Sequence, residues 1–145
     1  MGTKSPLNIV EDALAYALGQ APELSGYTIH KGQAIDTLEM PSVIVSCESL
    51  SFPSQIPQGF GNYVCQVSVG VFTQIDGASP LADHRACAQI VMSVLDNVTT
   101  VRAGFAQAAD ATCYDCLMSG IETGRGDRAF MTTLSYSVTI CLASI

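Results

Sequence analysis

The last part of the chain, residues 130–142, alternates apolar and polar side chains more regularly than any other segment. Successive side chains of a β-strand point to opposite faces, so this segment is predicted to be a strand with one apolar face and one Ser/Thr face. A sheet of this kind needs helices on only one side. The apolar positions are Leu134, Tyr136, Val138, Ile140 and Leu142.

Other segments extend this sheet. Residues 43–50 place Val43, Val45 and Cys47 on one predicted face, and residues 63–73 alternate in the same way. A turn at 124–127 joins the last two strands into a long hairpin. The predicted strands cover 27–30, 43–50, 63–73, 112–122 and 130–142, with a weaker one at 37–40.

Two helices begin with the same pair of residues. Ser5-Pro6 and Ser79-Pro80 each supply an N-cap hydroxyl followed by a proline in the first turn. The stripe predicted to be buried on the second helix is Leu81, His84, Cys87, Ala88, Val91, Val94 and Leu95. Residues 98–109 fit either a helix or a loop.

The order of these elements predicts one domain spanning 1–145. We expect an α+β fold with a mostly antiparallel β-sheet, two main α-helices packed on one face and a long loop between two central strands.

Charge limits the partners that this surface suits. Thirteen acidic residues and six basic residues give a net charge of −7, and only Arg125 and Arg128 lie close together among the bases. Binding to nucleic acid needs clustered basic residues, so no direct binding to DNA or RNA is expected. Charged residues make up only 13% of the chain, against about 25% in typical domains. The desolvation of such a surface costs little free energy, which favours assembly with other chains.

Membrane insertion and secretion are not expected. No stretch reaches the roughly 20 apolar residues of a membrane span, and the first residues lack the apolar core of a signal peptide. We therefore expect a reducing compartment, in which the six cysteines act as small apolar residues and not as a disulfide framework.

The residues do not predict a catalytic, cofactor-binding or metal-binding site. His84 and its neighbour Asp83 would point in different directions on a helix, so they do not form a catalytic pair. Cys113 and Cys116 are expected on opposite faces of a strand, and a zinc site would need two further ligands. We predict that the protein is not an enzyme.

Two surfaces suit association. One is the loop at 51–61, whose Phe52, Ile56 and Phe60 either contact another subunit or fold back over the core of their own chain. These three residues, with Arg125 and Arg128, form the predicted subunit interface. The second surface is the Ser/Thr/Gln face of the sheet, which is either solvated or in contact with a neighbour.

The order of the segments and their residue patterns resemble those of a known protein family. The chain begins with the Ser5-Pro6 helix, a Pro-Ser-Val-Ile-Val strand and the loop. It continues with a strand of sequence Tyr-Val-Cys-Gln-Val-Ser-Val-Gly-Val-Phe, the Ser79-Pro80 helix and a final hairpin that contains Tyr-Ser-Val-Thr-Ile. The chain resembles the tail terminator (tail completion) proteins of tailed bacteriophages and, more loosely, other neck proteins.

That resemblance implies a function without catalysis or a cofactor. The family forms a hexameric ring that caps the tail tube and joins it to the head or neck. The expected partners are other copies of the chain, the tail tube protein and neck or connector proteins, while DNA passes through the lumen without specific binding. The expected location is the tail or neck of the virion, after assembly in the host cytoplasm.

Two alternatives from other functional classes stay open. A small cytosolic thiol- or metal-dependent enzyme would use Cys113 and Cys116. A small-ligand or regulatory binding module would hold a ligand under the loop.

Overall fold

The computed structural model describes residues 6–32, 41–51, 62–74, 80–108, 111–125 and 129–142. The predicted strand at 37–40 and almost all of the loop at 51–61 lie outside these ranges. The elements are α1 (Pro6–Gly19), a short 3-10 helix (Pro22–Leu24), β1 (Thr28–Lys31), β2 (Ser42–Ser51), β3 (Asn62–Gln74), α2 (Pro80–Asp96), α3 (Val98–Ala108), β4 (Ala111–Arg125) and β5 (Ala129–Leu142). The predicted α+β class is confirmed.

The five strands form one sheet in the order β1-β2-β3-β5-β4, in which only β1 and β2 run parallel. The ladder between β3 and β5 has no register shift. The predicted alternation of these two strands is confirmed, because one face of each is buried. The buried positions are Cys65, Val67, Val69 and Val71 on β3 and Leu134, Tyr136, Val138 and Ile140 on β5.

Three helices of the described ranges cover that apolar face, one more than the two main helices of the prediction. The additional helix is α3, whose segment fits either helix or loop by sequence. Asn97 begins α3, because its side-chain oxygen accepts hydrogen bonds from the backbone N–H groups of Thr99 at 3.1 Å and Thr100 at 3.3 Å. The helix then packs closely on α1 at Gly104 and buries Phe105 in the core.

Helix α2 buries most of the predicted stripe. His84, Cys87, Ala88, Val91 and Leu95 are buried, and Val94 is partly buried. The inclusion of Leu81 was wrong, because its side chain is 42% exposed. Leu81 lies in the first turn of α2, beside the far end of the β4–β5 hairpin, where the helices no longer cover the sheet.

The open edge of β2 is protected by α1. Strand β1 ends at Lys31, which pairs with Val45, so the backbone N–H of Cys47 lies beyond that pairing. The Glu11 carboxylate accepts a hydrogen bond from this N–H at 2.9 Å. A carboxylate on an exposed edge discourages pairing with another strand, so this edge is shielded by charge.

Candidate interaction surfaces

The structure describes one member of the predicted interface. Phe52, Ile56, Phe60 and Arg128 lie outside the described residues, and their role stays a prediction. Arg125 is the last residue of β4 and is exposed. Its guanidinium carbon lies 5.7 Å from the centroid of the Phe130 ring, a cation–π contact across the end of the hairpin.

His84 joins α2 to the sheet at the base of this region. Its imidazole is buried, and its two ring nitrogens each lie 2.7 Å from a threonine hydroxyl, that of Thr73 on β3 and that of Thr132 on β5. The ring also lies 5.6 Å from the Phe130 ring, centroid to centroid. The predicted structural role of His84 agrees with this placement, since both nitrogens are occupied by the protein itself.

The buried position of His84 makes folding depend on pH. Burial, with the nearby Arg85 charge, lowers the pKa of the imidazole below its ordinary value of 6.5. The unfolded chain therefore binds more protons as the pH falls through this value, and stability decreases there.

We expect the melting temperature of the wild-type protein to fall more steeply than that of a His84→Gln variant between about pH 7 and about pH 5. The variant should also lose about 1–2 kcal/mol of stability at neutral pH, because one buried hydroxyl loses its partner. Thermal unfolding followed by circular dichroism measures both effects. Parallel pH profiles for the two proteins would contradict the assignment.

The face of the sheet away from the helices is polar but not uniform. Ser68 and Thr133 carry the predicted Ser/Thr character, and a shallow cavity of about 350 Å³ lies over β2 and β3. Ile44 and Phe72 interrupt the polar surface, and the Phe72 ring lies against Gly70, where a Cβ would stand 3.0 Å from it. Leu117 and Met131 are also exposed on this face, which is therefore broad and mostly polar, with exposed apolar side chains toward β4 and β5.

A second concave surface lies where α2 meets the far end of the hairpin. We call it the hairpin notch and define it by Leu81, Arg85, Ile121, Arg125 and Phe130. All except Ile121 line a cavity of about 300 Å³. Ile121 lies on the helix-facing side of β4, two residues before Thr123, which also lines the cavity.

Cys113 and Cys116 do not lie on opposite faces, so that prediction was wrong. The register of β4 shifts at Tyr114, and Cys113 pairs with Ile140 while Cys116 pairs with Val138. Both partners on β5 face the core, so both cysteines do too. The extra residue of the β-bulge at Tyr114 resets the alternation.

The two thiols are not activated. Burial raises the pKa of Cys113 to about 11 and that of Cys116 to about 12. Because the thiolate is the nucleophile and the metal ligand, both groups are protonated at neutral pH. All six cysteines are free thiols.

Metal-binding clusters and membrane-spanning helices are both absent from the described ranges. Within them, no three His, Cys, Asp or Glu side chains are grouped so as to hold a metal ion. None of the helices in the same ranges has the length and apolar character to cross a membrane.

Comparison with known proteins gives a likeness in structure alone. No protein-family model matches the sequence, and no curated protein matches it. A solved structure described as the virion of a native gene transfer agent (GTA) particle contains a similar chain, with a TM-score of 0.66 over 95% of this chain and 99% of that chain. The two chains share one fold. Their sequences are 15% identical, so the likeness concerns the fold and not a set of site residues.

Sequence reasoning missed most of the hairpin notch. Arg85 is one of six scattered bases, and nothing in the sequence places it near Arg125. Leu81 was assigned to the core because its helical spacing is that of a buried residue. The exposed apolar character of Ile121 follows from where the helices stop, which the sequence does not specify.

Proposed function

We propose that this chain is a structural protein of a phage-like virion, and that it acts there as a tail terminator. Its subunits form a hexameric ring that caps the tail tube and joins it to the head or neck. The partners are other copies of the chain, the tail tube protein and neck or connector proteins, and no catalysis is involved. The observation that carries this proposal is the fold shared with a virion chain over nearly the full length of both proteins.

Charge and surface support the same proposal. A net charge of −7 repels the phosphate backbone, so DNA would pass through a lumen lined by such subunits without being held. The weakly charged face away from the helices and the hairpin notch are two different surfaces. A closed ring needs two such surfaces on each subunit.

The thiol-enzyme alternative has no support from the cysteine chemistry. A catalytic thiol needs a depressed pKa, and the pKa values of Cys113 and Cys116 are shifted in the opposite direction.

Light scattering after size exclusion, at several concentrations, tests the proposed ring. We expect a species of six copies of the 15.2 kDa chain, with a central hole in negative-stain images. A second arm mixes the purified protein with tail tubes and looks for density on the tube ends. A dimer carrying bound metal, or a chain that neither forms rings nor binds tube ends, would contradict the proposal.

A further inference from the structure

We propose that the hairpin notch is a docking surface for a second copy of this chain, whose acidic side chains meet Arg85 and Arg125. This inference rests on the proposed ring, since it assigns one of the two surfaces through which neighbouring subunits would touch.

The notch exists because the hairpin is longer than the helical layer. Ile121 on β4 pairs with Leu134 on β5, and both side chains face the helices. Leu134 is fully buried, but Ile121 is 49% exposed. Every described side chain of β4 from residue 119 to residue 125 is exposed. The helix-facing side of the far half of β4 is therefore left uncovered by the described parts of this chain.

The uncovered surface has the composition of an interface. Leu81 and Ile121 are large apolar side chains that are 42% and 49% exposed, and Phe130 forms a mostly buried floor beside them. Aromatic residues and arginine are enriched in protein interfaces relative to the rest of the surface. Covering these two exposed side chains would remove apolar area from water, which favours docking.

Charge identifies the occupant. Two of the six bases of the chain, Arg85 and Arg125, line this cavity, and none of its described lining residues is acidic. Neither arginine has a carboxylate partner in the described part of the chain. A second copy carries thirteen acidic residues against six bases, so its surface complements the notch.

The same charges exclude one geometry. In a symmetric dimer that places the notch against itself, the arginines of one copy would face those of the other, and this repulsion is unfavourable. The notch must therefore meet a different patch of the second copy. A contact of this head-to-tail type closes into a ring when the rotation allows it.

Arg125 has a contact that holds its side chain near the notch before docking. The contact of its guanidinium with the Phe130 ring restricts the side chain before binding, which lowers the entropy lost on docking. Phe130 is in turn packed on the His84 ring, and His84 is fixed to two strands through Thr73 and Thr132.

The test compares R85Q/R125Q with a control of equal charge change. Gln20→Glu/Gln107→Glu also lowers the net charge by two. Gln20 directly follows α1 and Gln107 lies on α3, both are exposed, and neither lines the cavity of the notch. Light scattering over a concentration series measures self-association of each protein. We expect R85Q/R125Q to weaken association by about tenfold or more, and the control by less than about twofold. Association of the wild-type protein should also weaken in high salt.

Each other outcome overturns this inference. If R85Q/R125Q forms rings as readily as the wild-type protein, the notch is not the contact, while the proposed ring stands. If the wild-type chain is monomeric up to about 1 mM, a second copy is not the occupant. The measurement of binding to tail-tube ends then tests the proposed function separately. If a fluorescent DNA duplex binds the wild-type protein and not R85Q/R125Q, the notch holds nucleic acid instead.

Discussion

A Gly104→Ala protein is expected to be about 2 kcal/mol less stable than the wild-type protein. A Cβ at this position would overlap the backbone carbonyl oxygen of Ala13 on α1, and would lie 3.5 Å from the Cβ of Ala17. Alanine is favoured over glycine in a helix by about 1 kcal/mol, but overpacking against backbone costs about 3 kcal/mol. The clash therefore outweighs the gain in helix propensity.

Urea unfolding measures this difference, and Gly19→Ala is the matched control. Gly19 also lies in a helix, at the end of α1, and nothing stands within 4 Å of a Cβ built there. The control should be as stable as the wild-type protein or slightly more stable. If Gly104→Ala matched the control, α1 and α3 would not approach each other as closely as described.

A Leu134→Ala protein is expected to lose about 3 kcal/mol of stability, whereas Leu117→Ala should change it by less than about 0.5 kcal/mol. Both leucines lie on strands, but Leu134 on β5 is fully buried and Leu117 on β4 is 61% exposed. Truncation at Leu134 removes buried apolar surface and leaves a cavity among tightly packed neighbours. At Leu117 it removes a side chain that is already largely in water.

Denaturant midpoints of the two variants, measured side by side, give the comparison. Because the chemical change is identical, the difference reports burial and not the loss of a leucine as such. Similar losses at both positions would mean that Leu117 is covered by another chain under the conditions of the measurement. If the effect at Leu117 depended on protein concentration, the chain that covers Leu117 would be another copy of the same protein.

The strongly periodic elements were predictable from the sequence. Strands β3 and β5 were recognised because their two-residue period persists over many positions, and both faces follow that pattern in the structure. Helices α1 and α2 were recognised from a helical stripe that follows a Ser-Pro pair. In these segments local propensity and tertiary packing favour the same conformation.

The β-bulges were not predictable. Strand β4 shifts register at Tyr114 and again at Ser119, and each shift changes which later residues face the core. The bulge at Tyr114 has no neighbouring glycine to mark it in the sequence, so strict alternation placed Cys116 on the wrong face. The correct face is determined by pairing with β5, which is information from a distant part of the chain.

Helix α3 shows the same limit for helices. Thr99, Thr100 and Gly104 all weaken helix propensity, so the segment was equally compatible with a loop. The helix forms because Asn97 caps its first turn and because Gly104 allows close packing on α1. The Asn97 cap can be read from the sequence, but the close approach of α3 to α1 depends on tertiary packing.

The order of the strands also determines when the sheet can be completed during synthesis. Strand β5 lies between β3 and β4 in the sheet, yet it is the last strand to leave the ribosome. The nascent chain therefore carries β3 with one unpaired edge while α2, α3 and β4 are still being made. The β3–β5 ladder closes a long loop, which makes its formation slow. Until then the open β3 edge can pair with strands of other nascent chains, so the yield of native protein depends on how quickly synthesis reaches β5.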